Sequence, residues 1–323
     1  MTKYDYLLKF QRRLLDQVAA SLSEIARGGI SAGILLIGGS GTGKSMILRR
    51  LEELHKSSML GSQRIIPCCR VQARAQADAT TIAADVLARL GKPIPPARQK
   101  LKFLEPDMHR AFIACETRLF IVEEAHNATL SASDKMRGQT SRLLKNLWNI
   151  GTTDDAPRPH HGPALSNTAH PMVLVLSATD ELLKALKNDE ELRSRFPCVI
   201  FADRTSFSPP ESFKEFRHVL RSQIHGGDLE LLLDPNDNLL ASRCMLACQG
   251  HLRDLWSLLQ RAKTLSVAPP ILADTNALLA LAFDSAFGDS DRRENPFRQA
   301  DTEVQSSVEK AMRMHRLGLG GAK

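Results

Sequence analysis

The sequence predicts an α/β fold: a parallel sheet flanked by helices, followed by a small helical domain. Three observations predict it. Short apolar runs alternate with amphipathic stretches as far as Phe201, the pattern of strands buried on both faces with helices between them. The run Ile34-Leu35-Leu36-Ile37 leads through a glycine-rich loop, Gly38–Ser45, into the amphipathic stretch Met46–Leu51. From Phe207 onward only the helical period remains.

The elements follow in chain order. Leu7, Phe10, Leu14, Val18 and Leu22 recur at helical spacing, so residues 1–30 read as an N-terminal helical segment. Ile34–Ile37 is the first strand. Arg64–Val71 reads as the second, and Thr80 or Thr81 caps the helix that runs through Ile82, Val86, Leu87 and Leu90. Gly91 and Pro93 stop that helix, and Lys92–Lys102 is a basic, proline-containing stretch. Leu119–Val122 is the third strand, Ser141–Asn149 a helix, and Met172–Leu176 the fourth strand. Gly151–Pro171, rich in Gly, Pro, His and Asp, has no periodicity and reads as a long loop. Val199–Phe201 makes a short fifth strand. Helical patterns then cover Phe213–Ile224, Asn238–Cys248, Leu252–Leu265 and Asn276–Phe287. This organisation gives an α/β domain over 31–204, a helical domain over 205–288, and a polar, flexible tail over 289–323 that could dock a partner through Asn295-Pro296-Phe297-Arg298.

Composition narrows the class. Of the 323 residues 43% are hydrophobic, enough for a buried core, and the formal net charge of +7 suits a polyanionic partner. No apolar run is long enough to cross a bilayer, and no signal-peptide core follows Met1–Tyr6, so a cytoplasmic protein without a membrane partner is expected. The six cysteines form no CxxC pair. Cys244, Cys248 and His251 can share a helix face; a small-residue core face explains them better than a metal site.

Chemistry concentrates in a few places. Gly38-Gly39-Ser40-Gly41-Thr42-Gly43-Lys44-Ser45 fits the phosphate-loop pattern GxxxxGK[ST] without mismatch, in the strand–loop–helix context that the pattern needs. Its glycines let backbone N–H groups approach phosphate oxygens, and the helix start adds partial positive charge. ATP is the expected ligand, with Mg2+. Lys44 would reach the β- and γ-phosphates and Ser45 the metal, with Met46 next in the binding run. The third strand ends in Glu123-Glu124. Acids at the C-terminal end of a parallel strand face the ligand crevice; Glu123 would hold Mg2+, and Glu124 would orient and deprotonate the attacking water. Beyond the fourth strand, Thr179, or else Ser177, offers a hydroxyl to the γ-phosphate or the water, and Thr179 can equally cap a helix. Arg195, or else Arg193, precedes the last strand and can enter a neighbouring subunit's site. Arg253, opening a helix of the second domain, can reach back to the phosphates. Lys92, Arg98, Lys100, Lys102, Arg70 and Arg74 are candidate contacts to a nucleic-acid backbone.

In this order, phosphate loop, acidic strand end, polar sensor strand, Arg-Phe box and helical Gly-x-x-Arg, these residues resemble the AAA+ superfamily of P-loop NTPases. Within it the chain is similar to the TniB/TnsC-type transposition ATPases, through Glu-Glu-Ala-His-Asn at 123–127 and the Thr-x6-Leu-x2-Leu-Gly-Lys-Pro helix ending at Pro93. Glu123 stands where that family usually has Asp, Ser-Ala-Thr where it has Gly-Thr, and loop 151–170 is longer. The resemblance implies an ATPase that forms rings or helical filaments on duplex DNA and links a target-selection protein to a transposase. A helicase loader of the same superfamily, and an ATP-bound scaffold that does not turn over, are the alternatives. A winged-helix initiator does not fit the short chain after Phe287, and a metabolic kinase would leave the Arg-Phe and Gly-x-x-Arg elements unexplained.

Overall fold

Apolar runs without polar alternation form stable strands only when both faces of the sheet are covered. The structure, a computed structural model, describes residues 6–93, 100–129, 134–149, 170–225, 229–230, 232–266, 274–288 and 294–316. It forms two compact units, one from Phe10–Gly39 and Lys44–Ala202, the other from the residues before Phe10, Ser40–Gly43 and the chain from Asp203 onward.

The first unit opens with α1 (Lys9–Ala26), β1 (Ala32–Ile37) and α2 (Lys44–Leu54). A hairpin of β2 (Ser58–Leu60) and β3 (Gln63–Ile65) follows, then β4 (Cys68–Gln72), α3 (Ala79–Arg89) and α4 (Leu101–Ala114). Next come β5 (Leu119–Glu123), α5 (His126–Thr129), α6 (Asp134–Asn149) and β6 (Val173–Ala178). α7 (Asp180–Leu186), α8 (Glu190–Ser194) and β7 (Cys198–Phe201) close the unit. Five strands form one sheet in the order β4-β5-β6-β1-β7, every pair parallel. Leu35, Ile37, Phe120, Val122, Leu174 and Leu176 alternate onto one face and share a core with Ile82, Val86, Met108, Phe112, Leu143 and Leu147. The intervening Ile34, Leu36, Ile121, Val173 and Val175 are equally buried, so the opposite face is covered too.

Three local features differ from the sequence reading. The second strand breaks at Pro67, which has no N–H to give a ladder; the residues before it pair as the β2–β3 hairpin, turning at Gly61 with φ +62. The cap of α3 is Asp78 and neither threonine: its Oδ1 accepts from Thr81 N and Thr81 Oγ1, both at 2.8 Å. The basic stretch runs directly into α4, whose Leu104, Met108, Ala111 and Phe112 are buried at helical spacing despite Pro106.

The second unit holds α9 (Pro210–Ile224), α10 (Asn238–Cys248), α11 (Leu252–Ser266), α12 (Thr275–Phe287) and α13 (Asp301–Arg316). Asp237 and Asp274 cap α10 and α12 through the N–H groups of Leu239 and Asn276. The chain leaves α10 through Gln249 and Gly250, both at positive φ; a Cβ at Gly250 would lie 1.8 Å from Thr205 O, so only glycine fits. The tail corrects the flexible-segment expectation. Arg243 of α10, 3% exposed, donates to Pro296 O, to Gln299 O at 2.9 Å and to Asp301 at 2.7 Å. Phe297 and Val304 are buried, so 294–316 is a folded part of this unit, and Asn295-Pro296-Phe297-Arg298 is not a free docking motif. Cys244 and Cys248 are wholly buried core residues, and among the described residues no cluster could hold a metal through His, Cys, Asp or Glu. No described helix is long and apolar enough to cross a membrane.

Candidate active site

β1 delivers the phosphate loop to the C-terminal edge of the sheet. Gly38 N donates to Ala178 O at 3.0 Å, carrying the β1–β6 pairing one residue past the strand. A Cβ at Gly38 would lie 2.3 Å from Ala202 O, so the close approach of the chain leaving β7 demands glycine there. Gly41 (φ +77) and Gly43 (φ +95) occupy the left-handed region. α2 starts at Lys44, so Lys44, Ser45 and Met46 form its first turn, where helix N–H groups have no intrahelical acceptor. Lys44 is buried, and its ammonium donates to Gly38 O at 2.5 Å and Gly39 O at 2.7 Å. Ser45 and Met46 are exposed.

Within the second unit, Gly41 O accepts from Leu252 N at 3.0 Å and Arg253 N at 3.4 Å. A Cβ at Gly41 would lie 3.5 Å from that of Arg253. The start of α11, with Arg253, therefore abuts the tip segment Ser40–Gly43, and the Arg253 side chain is exposed.

The acids end β5, next to β6 in the sheet. Glu123 is 4% exposed and paired with Arg70. Arg70 also grips Glu52 of α2, with Nε and Nη2 each at 2.8 Å, and Glu52 takes a further bond from Arg89. Burial opposes ionisation of Glu52, but the hydrogen bonds from Arg70 and Arg89 outweigh it and hold the carboxyl below its ordinary range. Burial likewise disfavours the Arg70 cation, and its bonds to Glu123 and Glu52 raise its pKa regardless. Arg70 thus has two internal counter-ions, Glu52 and Glu123, while about a quarter of its side chain stays exposed. Residues 70 and 72 share one strand face, and Gln72 stands beside Glu123 in register, so that face is turned toward the acids.

Glu124 follows at φ +52, its carboxylate half-buried and 3.5 Å from His126 Nδ1. The turn that presents it is tied on both sides. Ala125 N donates to Ser177 O at 2.9 Å, and Asn127 Nδ2 to Ala73 O at 3.0 Å. Thr179 occupies the cap position of α7, yet its hydroxyl makes no cap bond and is buried without a hydrogen-bond partner. This buried hydroxyl stands just past the end of β6, the strand between β1 and β5. Ser177 is buried within β6.

Arg195 is seated within its own unit. It lies 5.5 Å over the Trp148 ring and donates to Glu191 O at 2.7 Å and Asn149 Oδ1 at 3.2 Å. Arg193 is exposed. The donor set fits a magnesium nucleotide: hard oxygens from Ser45 and Glu123 for the ion, an ammonium and helix-start N–H groups for phosphate, and one idle hydroxyl.

Of the surface cations, Lys92, Lys100 and Lys102 are exposed, and Arg74 is exposed 3.9 Å from Asp85. Arg98 and loop 151–169 lie outside the described residues. The Lys102 ammonium sits 4.9 Å over the exposed Phe103 ring, an aromatic that the basic pattern alone did not single out. Glu52, Arg89, Trp148 and Asn149 were also missed, since no motif marks residues that act through a partner from another element.

Residues 7–152 match the family model described as bacterial TniB protein. No curated protein matches the sequence. Among solved structures, the ORC2 protein of Aeropyrum pernix in its ADPNP-ADP complexes superposes with a TM-score of 0.64 at 13% identity, covering 99% of this chain and 78% of that one. The ORC1 protein of the same organism, in complex with DNA, gives 0.60 at 15%, covering 100% and 82%. Cdc6p of Pyrobaculum aerophilum gives 0.58 at 15%, covering 82% and 64%. At such identities the likeness establishes the fold alone.

Proposed function

We propose, for a chain that carries the TniB family pattern over residues 7–152 on an AAA+ fold, that it is an ATP-dependent regulator of DNA transposition. It assembles as a homo-oligomer, ring or filament, on duplex DNA and connects a target-selection protein to a transposase. The observation that carries the ATPase part is the convergence at one sheet edge of Lys44 at the phosphate loop, Glu123-Glu124 ending β5 and the idle Thr179 hydroxyl ending β6.

Each residue has a physical task. Bound ATP supplies the phosphoanhydride whose cleavage drives the cycle. Lys44 leaves the carbonyls of Gly38 and Gly39 to neutralise phosphate charge, a short move for a flexible ammonium. Ser45 and Glu123 hold Mg2+. Glu124, set off the strand by its left-handed backbone, takes the proton of the attacking water. Thr179 Oγ1 donates to the γ-phosphate or the water. Arg195 leaves its seat on Trp148 to meet the neighbouring subunit's phosphates. Arg253, on the backbone that holds Gly41, moves with the loop tip and reads nucleotide state.

The family pattern supports the transposition reading, and the DNA complex of the ORC1 neighbour supports duplex DNA as a ligand. The basic turn Lys100-Lys102 with Phe103, and nearby Lys92, supports backbone contact. The test is turnover and nucleotide binding in Glu124→Gln and Lys44→Ala. Glu124→Gln keeps nucleotide binding and loses turnover by roughly a hundredfold or more; Lys44→Ala loses both. Equal turnover in Glu124→Gln and the parent would overturn the assignment, and turnover absent from the parent itself would leave the non-hydrolysing scaffold.

A further inference from the structure

An open cleft of about 430 Å³ lies at the free edge of β4, and Arg70, Arg74, Arg89 and Asp85 line it. Its cations are all engaged: Arg70 with Glu52 and Glu123, Arg89 with Glu52, and Arg74 near Asp85. Three arginines thus face three carboxylates, and the cluster is balanced only while Glu123 belongs to it.

We propose that this cleft is a seat for the phosphodiester backbone of duplex DNA, coupled through Arg70 to the metal-binding acid Glu123. The proposal rests on the nucleotide-site reading and adds to it a reason why DNA and nucleotide would bind together. When Glu123 turns to a magnesium ion, Arg70 loses one of its two carboxylates, and the cleft is left with one uncovered positive charge. Arg70 keeps about a quarter of its side chain exposed, so that charge is reachable from the cleft. Val71 and Ala88 form apolar wall beside it, which weakens solvent screening. Planar guanidinium forks match phosphate oxygens in pairs, and an open cleft suits a continuous backbone.

The same logic runs in reverse. A phosphodiester that draws Arg70 outward frees Glu123 for the ion, and linkage makes the two effects equal in size. Glu52 is the pivot: it sits on α2, the helix that starts at Lys44, and holds Arg70 and Arg89 together.

The experiment measures binding of the full chain to a short fluorescent duplex by anisotropy, without nucleotide and with a magnesium-bound, non-hydrolysable ATP analogue. Circular dichroism melting checks the fold of each variant. Glu123→Gln and Glu52→Gln each take one carboxylate from Arg70 without any ion, so each should tighten nucleotide-free binding roughly tenfold. Arg74→Ala and Arg89→Ala should weaken analogue-state binding and lower the salt slope by about one each. If the parent binds duplex only with the analogue, and all four variants behave as the parent, the coupling is wrong while the functional reading stands. A parent that binds duplex in no state sinks both.

Discussion

Two histidines show what burial costs at the level of a single side chain. His109 on α4 is 4% exposed and its Nε2 has no hydrogen-bond partner; burial pushes its pKa down from 6.5 to about 4. His170 also falls to about 4, chiefly through burial and then through the Arg118 charge, against a bond between its Nε2 and Thr117 O at 2.7 Å. A depressed histidine is neutral in the folded state and charged in the unfolded one below pH 6.5. The unfolded chain then binds more protons, so stability is full above about pH 6.5 and falls as pH drops toward 4, by about 1.4 kcal/mol per pH unit for each histidine. Urea midpoints between pH 7 and 4 should show this fall, and His109→Met should flatten it; an unchanged slope would contradict the burial account. At this scale the phosphate loop, Glu123, Glu124 and Arg253 were legible as candidates because motif spacing ties them to one chemistry. Arg70 was legible only as a positive charge. That its charge is turned inward depends on Glu52 and Glu123, which come from two other elements.

Elements place the candidate site residues through backbone approaches that leave no room for a side chain. Gly33 in β1 is one: a Cβ there would meet Arg195 O at 2.0 Å and the Phe196 ring at 2.7 Å. Gly33→Ala should therefore push the Arg195 segment away from the sheet, costing about 2–3 kcal/mol. It should also unseat Arg195 from Trp148 and shift indole emission, whereas a surface Gly138→Ala control, with open space around it, should not. An unchanged melting point and spectrum in Gly33→Ala would show that the approach is looser than its geometry. The central strands could be read from sequence because unbroken apolar runs have few other homes. The hairpin, α4 and α13 could not. Pro67 split one run into two, Pro106 masked a helix that tertiary packing sustains, and α13 shows a polar sequence whose buried face is narrow, with only Val304 wholly covered.

For the whole molecule, the account joins nucleotide state to DNA binding. The loop tip Ser40–Gly43 belongs to the same compact unit as α11 and Arg253, while Lys44 begins the helix that carries Glu52. The alternation of apolar runs and amphipathic stretches made the parallel sheet flanked by helices readable before any geometry. Sequence could not give the ion-pair cluster that balances the sheet edge, because it forms only when β4, β5, α2 and α3 meet. The measurement that bears most directly on the central claim is negative-stain imaging of the purified protein on duplex DNA, with ADP and with a slowly hydrolysed ATP analogue. The account predicts rings or filaments on DNA with the analogue and dispersed particles with ADP, the assemblies disappearing in Arg195→Ala. Equal decoration of DNA in both nucleotide states, or dispersed particles in both, would contradict it.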